Sequence, residues 1–327
     1  MSLHKNILIC GFGSIGSRHL NNLIKLGFTN LSVFTTNSNK FFKVPEKIKI
    51  YEDLDEALQQ EPFLSFICNP TSLHVITAIK CAKAGSNLFI EKPLSDNLSD
   101  VNHLKEILNE KKIVCMIGYM MRFNPVIQKI KNIIESKIFG DVIHYHSNWG
   151  EYLPGWHPYE DYKSTYAGKK ELGGGVMPTL SHDLDLTYWL FGMPKKIHCI
   201  SQKVTYLDIN TEAIADILFY YDENIAAHVH LNYLDNPAKR NILIRFTKGR
   251  VEYDIIKNKL ITIKINQDKP SVFDYKNEFT RNDLFLKEVN YLLKSIEKNI
   301  KPKPSIEDGI NILKIINHAK KSSNESK

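Results

Sequence analysis

Through the first 120 residues, short apolar runs alternate with helical patterns, and this rhythm limits the available folds more than any other feature. Asn6–Cys10 reads as a strand, Ser14–Leu26 as a helix closed by Gly27, and Leu31–Thr35 as a second strand. Leu54–Gln60 reads as a short helix, Leu64–Cys68 as a strand and Ser72–Ala84 as a helix closed by Gly85. Asn87–Ile90 (strand), Leu98–Glu110 (helix) and Ile113–Ile117 (strand) continue the series. Strands that are apolar throughout are buried on both faces, which calls for parallel pairing with helices on either side. The predicted class is α/β, a doubly wound parallel sheet, over residues 1–121.

The rhythm stops after Gly118. Asn124–Ser136 reads as one more helix with Pro125 in its first turn, and a polar, aromatic and glycine-rich stretch runs from Trp149 to Gly175. Between Ile197 and Ile265 strands follow one another directly: Ala213–Tyr221, Asn224–Leu234 and Arg240–Thr247, with turn signals at 222–224 and 248–249. This predicts a mostly antiparallel sheet. Helices over Asp283–Lys298 and Ile306–Lys320 close the chain, with Ser305 as N-cap of the second. Residues 122–327 thus form a predicted α+β domain, and two domains suit 327 residues at roughly 150 per domain.

Composition excludes several classes. Hydrophobic residues at 43% and charged residues at 24% rule out a disordered chain. No run approaches the ~20 apolar residues of a membrane helix, and the run Asn6–Cys10 is too brief for a signal-peptide core and lacks a small-residue cleavage site, so no secretory signal is expected. The formal charge of +7 comes from lysines interleaved with acids, including Lys320, Lys321 and Lys327 in the tail, so neither nucleic acid nor membrane is expected as a partner. Five cysteines without a C-x-x-C pair read as buried free thiols of a cytoplasmic protein.

Gly11-Phe12-Gly13-Ser14-Ile15-Gly16 is G-x-G-x-x-G, and it leaves a strand and opens a helix, the context that gives the motif meaning. Gly11 permits the tight turn, Gly13 a close approach to a pyrophosphate, and Gly16 close helix–strand packing, so the sheet is expected to be Rossmann-type and to bind NAD(P). At the second strand end, where an NAD site expects an acid, stand Thr35-Thr36-Asn37-Ser38. These side chains would tolerate a 2′-phosphate, with Arg18 and Lys40 in reach, and slightly favour NADP. Asn69-Pro70-Thr71-Ser72-Leu73-His74 and Glu91-Lys92-Pro93 follow the next strands, at the sheet edge where ligands bind. Thr71 or Ser72 could equally cap a helix, and Lys92 could be a surface lysine before a turn proline.

With these come Gly118-Tyr119-x-x-Arg122-Phe123 and the run Gly173-Gly174-Gly175-Val176-Met177-Pro178-Thr179-Leu180-Ser181-His182-Asp183-Leu184-Asp185. The set, in this order and spacing, resembles the glucose–fructose oxidoreductase / inositol dehydrogenase / MocA family. Tyr152–Pro158 and Asp161-Tyr162 resemble members linked to bacterial surface-sugar biosynthesis. The resemblance implies a second domain built on an open-faced sheet, and an NAD(P)-dependent oxidoreductase acting on a sugar or nucleotide-sugar hydroxyl or ketone. It assigns Lys92 to the substrate oxygen and nicotinamide, and His182 to acid/base work. Many members carry an aspartate shortly before that histidine; here Pro178 and Thr179, which cannot ionise, stand near its place.

On a helix from His182, Asp185 shares its side and could orient the imidazole or form a simple pair. Expected cofactor contacts are Gly11–Gly16, Arg18, Thr35, Thr36, Asn37, Asn69, Pro70, Thr71, His74, Glu91 and Lys92. Expected substrate contacts are Lys92, Tyr119, Arg122, Trp156, Tyr162 and His182, although the aromatic loop could equally be packing. The pairs His144/His146 and His228/His230 have strand spacing and no third ligand, so no metal is expected. A bare face on the second sheet predicts a homodimer or homotetramer. Two other readings fit the family: a glycoside hydrolase with tightly held NAD, and a nucleotide-bound sensor without catalysis.

Overall fold

The structure, a computed structural model, describes residues 2–36, 42–222 and 225–325. The chain divides into two compact units. The first comprises Met1–Tyr119, Glu171–Gly173 and Phe285–Leu313; the second comprises Met120–Lys170, Gly174–Leu284 and Lys314–Lys327.

The first unit is built on β1 (Ile7–Cys10), α1 (Ser14–Lys25), β2 (Leu31–Phe34), β3 (Lys49–Tyr51), α2 (Leu54–Leu58), β4 (Leu64–Ile67), α3 (His74–Lys83), β5 (Asn87–Glu91), α4 (Val101–Glu110) and β6 (Cys115–Gly118). Its six strands run in the order β3-β2-β1-β4-β5-β6, all parallel. β1 and β4 are buried along their whole length, as continuous apolar runs require. The short edge strand β3 has no counterpart in the sequence reading, because Lys49 and Ile50 are exposed and only Tyr51 is buried.

The second unit holds α5 (Pro125–Glu135), β7 (Val142–Gly150), α6 (Val176–Thr179), α7 (His182–Phe191), β8 (Lys196–Gln202), β9 (Ile214–Tyr220), β10 (Ala226–Asn232), β11 (Lys239–Phe246), β12 (Gly249–Asp254), β13 (Lys259–Lys264) and β14 (Ser271–Asp274). The order β14-β13-β12-β11-β7-β10-β9-β8 is antiparallel except where β7 lies parallel to β10. β7, the central strand, was expected only as the histidine spacing 144/146. Its other face supplies buried Tyr145, Ser147 and Trp149. Burial alternates along β9, with Ala215, Ile217 and Phe219 inward and Leu218 and Tyr220 outward.

The closing helices, α8 (Arg281–Glu297) and α9 (Ile306–Glu325), correct the expected single cut after residue 121. Residues 285–313 return to the first unit because their apolar side chains find partners there. Phe285 meets the His19 ring edge-on at 5.8 Å, Gly309 abuts Leu94 and Ile117, and the Ile117 amide donates to the Pro304 carbonyl at 3.1 Å. Ser305 does cap α9, reciprocally: its N–H and hydroxyl donate to Asp308, whose N–H returns to the hydroxyl. Among the described residues no helix is long and apolar enough to cross a membrane. All five cysteines are buried free thiols.

Candidate functional site

In the first unit the site begins at the glycine turn. Gly11 holds a φ of +96°, and a Cβ there would lie 2.5 Å from the Asn69 backbone nitrogen. A Cβ on Gly16 would lie 2.1 Å from the Gly11 carbonyl oxygen. Both positions exclude any side chain because backbone occupies the space. Gly13 differs: nothing stands within 4 Å of its would-be Cβ. It is the N-cap of α1 and has no side-chain cap, so the first-turn amides of Ser14, Ile15 and Gly16 lack intrahelical acceptors. No acid sits in that turn. Phe12 is buried beneath it.

The loops after β4 and β5 converge on the buried side chain of His74. Its Nδ1 lies 2.9 Å from the Pro93 carbonyl and its Nε2 2.9 Å from the Asn69 carbonyl. Burial lowers its pKa and outweighs the two carbonyls, which favour the charged ring. Asn69 donates to Thr77 at 2.8 Å, while its Oδ1 is buried with no donor among the described residues. Pro70 is exposed and Thr71 buried at the start of the following turn.

Glu91 lies inside β5, one residue past the expected strand end, and its carboxylate turns inward. Its Oε1 is 2.7 Å from His19 Nε2, and its Oε2 accepts from the Lys92 amide at 3.2 Å. His19 is fully buried between Phe66 and Phe89. Glu91, expected at the cofactor, therefore joins β5 to α1 and fixes the backbone of half-buried Lys92. No motif marks His19; only its position one turn after Gly16 could have pointed to it. Arg18, expected near a 2′-phosphate, stacks 5.1 Å from the Phe285 ring centroid. Thr35 is half-buried and Thr36 exposed; Asn37, Ser38 and Lys40 lie outside the described residues.

In the second unit α7 carries His182 at its first position, buried, with its ring stacked 6.0 Å from that of Trp149 on β7. Both oxygens of Asp185 accept from Arg122, at 2.6 and 3.0 Å, and both residues are buried. Asp185, expected to orient the His182 imidazole or to form a simple pair, is thus held by a guanidinium. Arg122 and Tyr119, expected at the substrate, are both buried. Asp183 accepts from Arg240 at 2.6 Å and from Ser147, and the Arg240 guanidinium covers Trp149 at 3.7 Å. Trp149 and Arg240 escaped the sequence reading, since each is a lone residue in a strand.

Thr179, near the place of the missing acid, is buried, and burial pushes the pKa of Tyr233 well up. Trp156 meets Tyr233 edge-on at 5.7 Å, and the Tyr162 hydroxyl donates to the Leu207 carbonyl at 3.0 Å. Among the described residues no group of three His, Cys, Asp or Glu could hold a metal ion.

Residues 5–119 match the family model described as oxidoreductase family, NAD-binding Rossmann fold, and residues 127–252 match the GFO/IDH/MocA C-terminal domain. A myo-inositol 2-dehydrogenase of Thermotoga maritima is 25% identical over 98% of this chain and 96% of its own. A 4-carboxy-2-hydroxymuconate-6-semialdehyde dehydrogenase of Sphingobium is 33% identical over 39% of this chain, which spans only 42% of that protein. Among solved structures, a levoglucosan dehydrogenase in complex with NADH and levoglucosan has a TM-score of 0.84 at 15% identity, covering 99% of this chain and 98% of its own. At that identity the likeness concerns the fold.

Proposed function

Since this chain belongs to the GFO/IDH/MocA family of NAD-binding oxidoreductases, we propose that it is a dehydrogenase that moves a hydride between a nicotinamide cofactor and a sugar or nucleotide-sugar hydroxyl or ketone. The observation that carries the reading is the contrast within the glycine turn. Backbone fills the Cβ positions of Gly11 and Gly16, whereas that of Gly13 opens onto free space at a helix N-terminus. A pyrophosphate fits that combination of open space, unengaged amides and absent acid. The buried acceptor Asn69 Oδ1 suits a donor on the same ligand.

The nicotinamide, when bound, would supply or accept the hydride. Gly11–Gly16 would hold the phosphates, with Thr35 and Thr36 toward the ribose and Asn69–Thr71 lining the turn. His74 would act by fixing the Pro93 and Asn69 carbonyls, and Glu91 by fixing the Lys92 amide. Lys92 would donate a hydrogen bond to the substrate oxygen as charge develops there, and His182 would carry the proton that leaves or joins it. Trp156 and Tyr162 would offer aromatic surface to a sugar ring. Asp185 would serve through Arg122. With no acid at Thr35 or Thr36, NADP is slightly favoured over NAD.

Titration with NADPH and NADH, followed by a screen of sugars and nucleotide sugars at the nicotinamide absorbance, tests the proposal. Absence of cofactor binding, or silence across a broad library, would overturn it. NADH bound tenfold more tightly than NADPH, about 1.4 kcal/mol, would reverse the cofactor preference.

We further propose a homodimer or homotetramer joined through the outer face of the second sheet, where Ile200, Leu218 and Tyr220 are exposed. Light scattering that gives a monomer at micromolar concentration would refute it. Five buried thiols favour the reducing cytoplasm.

A further inference from the structure

The second unit contains a cavity of about 240 Å³ between the β11–β12 side of its sheet and the start of α8. Three cations line it, Arg240, Lys276 and Arg281, and no acid does. A cavity of comparable volume in the first unit makes a useful contrast. Its Lys105 and Lys301 share Glu307, at 3.3 and 2.9 Å, and its third cation, Lys112, is exposed, so none of its cations is buried without an acceptor.

In the cavity of the second unit one cation is buried and only partly satisfied. Arg240 is 7% exposed and gives one nitrogen, Nη2, to Asp183, while its Nε is buried with no acceptor among the described residues. Lys276 forms no ion pair among them. A buried guanidinium N–H without an acceptor is costly unless a ligand or water completes it.

The remaining lining is fixed and two-sided. Asn124 donates to the Tyr253 hydroxyl at 3.1 Å, and that hydroxyl donates to Asn258 at 2.6 Å. This chain gives one wall a set polar orientation, and Asn124 is further held as N-cap of α5. Met121 and Phe279 belong to an apolar part of the lining. Arg281 opens α8, whose N-terminal dipole has the same sign as the three side chains. One carboxylate would satisfy one arginine. Three cations from separate segments, beside an apolar surface, match a multiply charged anion on a larger organic body.

We propose that this cavity is an anion-binding site that takes the diphosphate of an organic phosphate, with Arg240, Lys276 and Arg281 as its cations. The claim concerns binding alone and stands apart from the hydride chemistry proposed above.

The test is calorimetric titration of the full chain with uridine diphosphate and with inorganic pyrophosphate. Lys276→Glu/Arg281→Glu is the variant of choice, since both residues are exposed and their replacement leaves the core intact. Binding of uridine diphosphate below about 1 mM is expected, weakening roughly tenfold or more in the variant and with added salt. Pyrophosphate is expected to bind more weakly, because it lacks the organic body. NADH affinity should be the same in wild type and variant. Gly13→Val provides the converse control: it should lose NADH and keep uridine diphosphate. The proposal fails if neither probe binds at about 10 mM, or if the double variant binds like wild type. It fails too if Gly13→Val abolishes uridine diphosphate binding, which would place the nucleotide at the glycine turn.

Discussion

The two units build their polar sites in opposite ways. In the first, the key atoms are backbone. Gly11, Gly13 and Gly16 shape a turn within six residues, and His74 ties two loop carbonyls. In the second, the key atoms are side chains brought from distant segments. Arg122 pairs with Asp185 63 positions on, Arg240 with Asp183 57 positions back, and Ser147 bridges to the same Asp183. A backbone site tolerates little variation and leaves a motif. A side-chain network depends on strand order and leaves none.

The largest effect should come from the residue where the first unit turns from backbone to side chain. Lys92→Met should lower turnover by ~10²–10⁴-fold on the true substrate, the contribution of one positioned proton donor. KM and cofactor affinity should change far less, since the phosphates would rest on the glycine turn. Steady-state kinetics beside an NADPH titration separate these. Near-normal turnover would remove Lys92 from the chemistry and leave His182 as the candidate.

The contrast explains what the sequence could disclose. The alternation of apolar runs placed β1, β4 and β5, because buried parallel strands need no partner-specific pattern. His182 and Lys92 are candidates through motif context. His19, Trp149 and Arg240 are not, because a buried histidine in a helix or a lone arginine in a strand has no sequence signature until its partner is known. The inward partners of Glu91 and Asp185, His19 and Arg122, were hidden for the same reason. The return of 285–313 to the first unit escaped notice because amphipathic helices do not declare which core they join.

Breaking the second unit's network should affect stability before chemistry. Arg122→Met leaves Asp185 charged and fully buried without its bidentate partner, at a cost of about 3–5 kcal/mol in urea unfolding. Arg122→Met/Asp185→Leu removes both charges and should recover much of the loss. A single variant as stable as wild type would show the pair to be dispensable.

Within the first unit, two glycine substitutions sharpen the distinction between packing and binding. Gly11→Ala forces a Cβ into the Asn69 backbone at positive φ, and should cost roughly 1–3 kcal/mol. Gly13→Val meets only open space, so its melting temperature should stay near wild type while NADPH binding is lost. Calorimetric melting and cofactor titration of both variants distinguish the two. Equal destabilisation would mean that Gly13 serves folding.

The smallest effect lies on the outer face of the second sheet, where charge rather than packing sets the balance. His144 and His146 on β7 have pKa values below the ordinary histidine range. Burial is the first cause for both; His144 then feels Arg245 and His228, and His146 feels His228, His144, His230 and Arg245. The His146 and His228 rings stack at 4.9 Å, so protonating both places like charges face to face. A histidine whose folded pKa is depressed binds protons more readily unfolded, so its stabilisation is present above about pH 6.5 and fades as the pH falls toward the folded value. In the unassociated chain solvent reaches both half-buried rings and screens the effect to a fraction of a kcal/mol, so the melts are run below the concentration at which the assembly proposed above forms. Asp216 is distinguishable because it titrates lower. Burial pushes its carboxyl up, but bonds from His230 and His228 outweigh that and hold it below the usual range, so its contribution is lost only in more acidic solution. Melting temperatures of wild type and His144→Gln/His146→Gln should converge with the descent from about pH 7.5 to pH 5.5, since only the wild type carries this acid penalty. Parallel profiles across that window would show that the two imidazoles remain neutral or are fully hydrated.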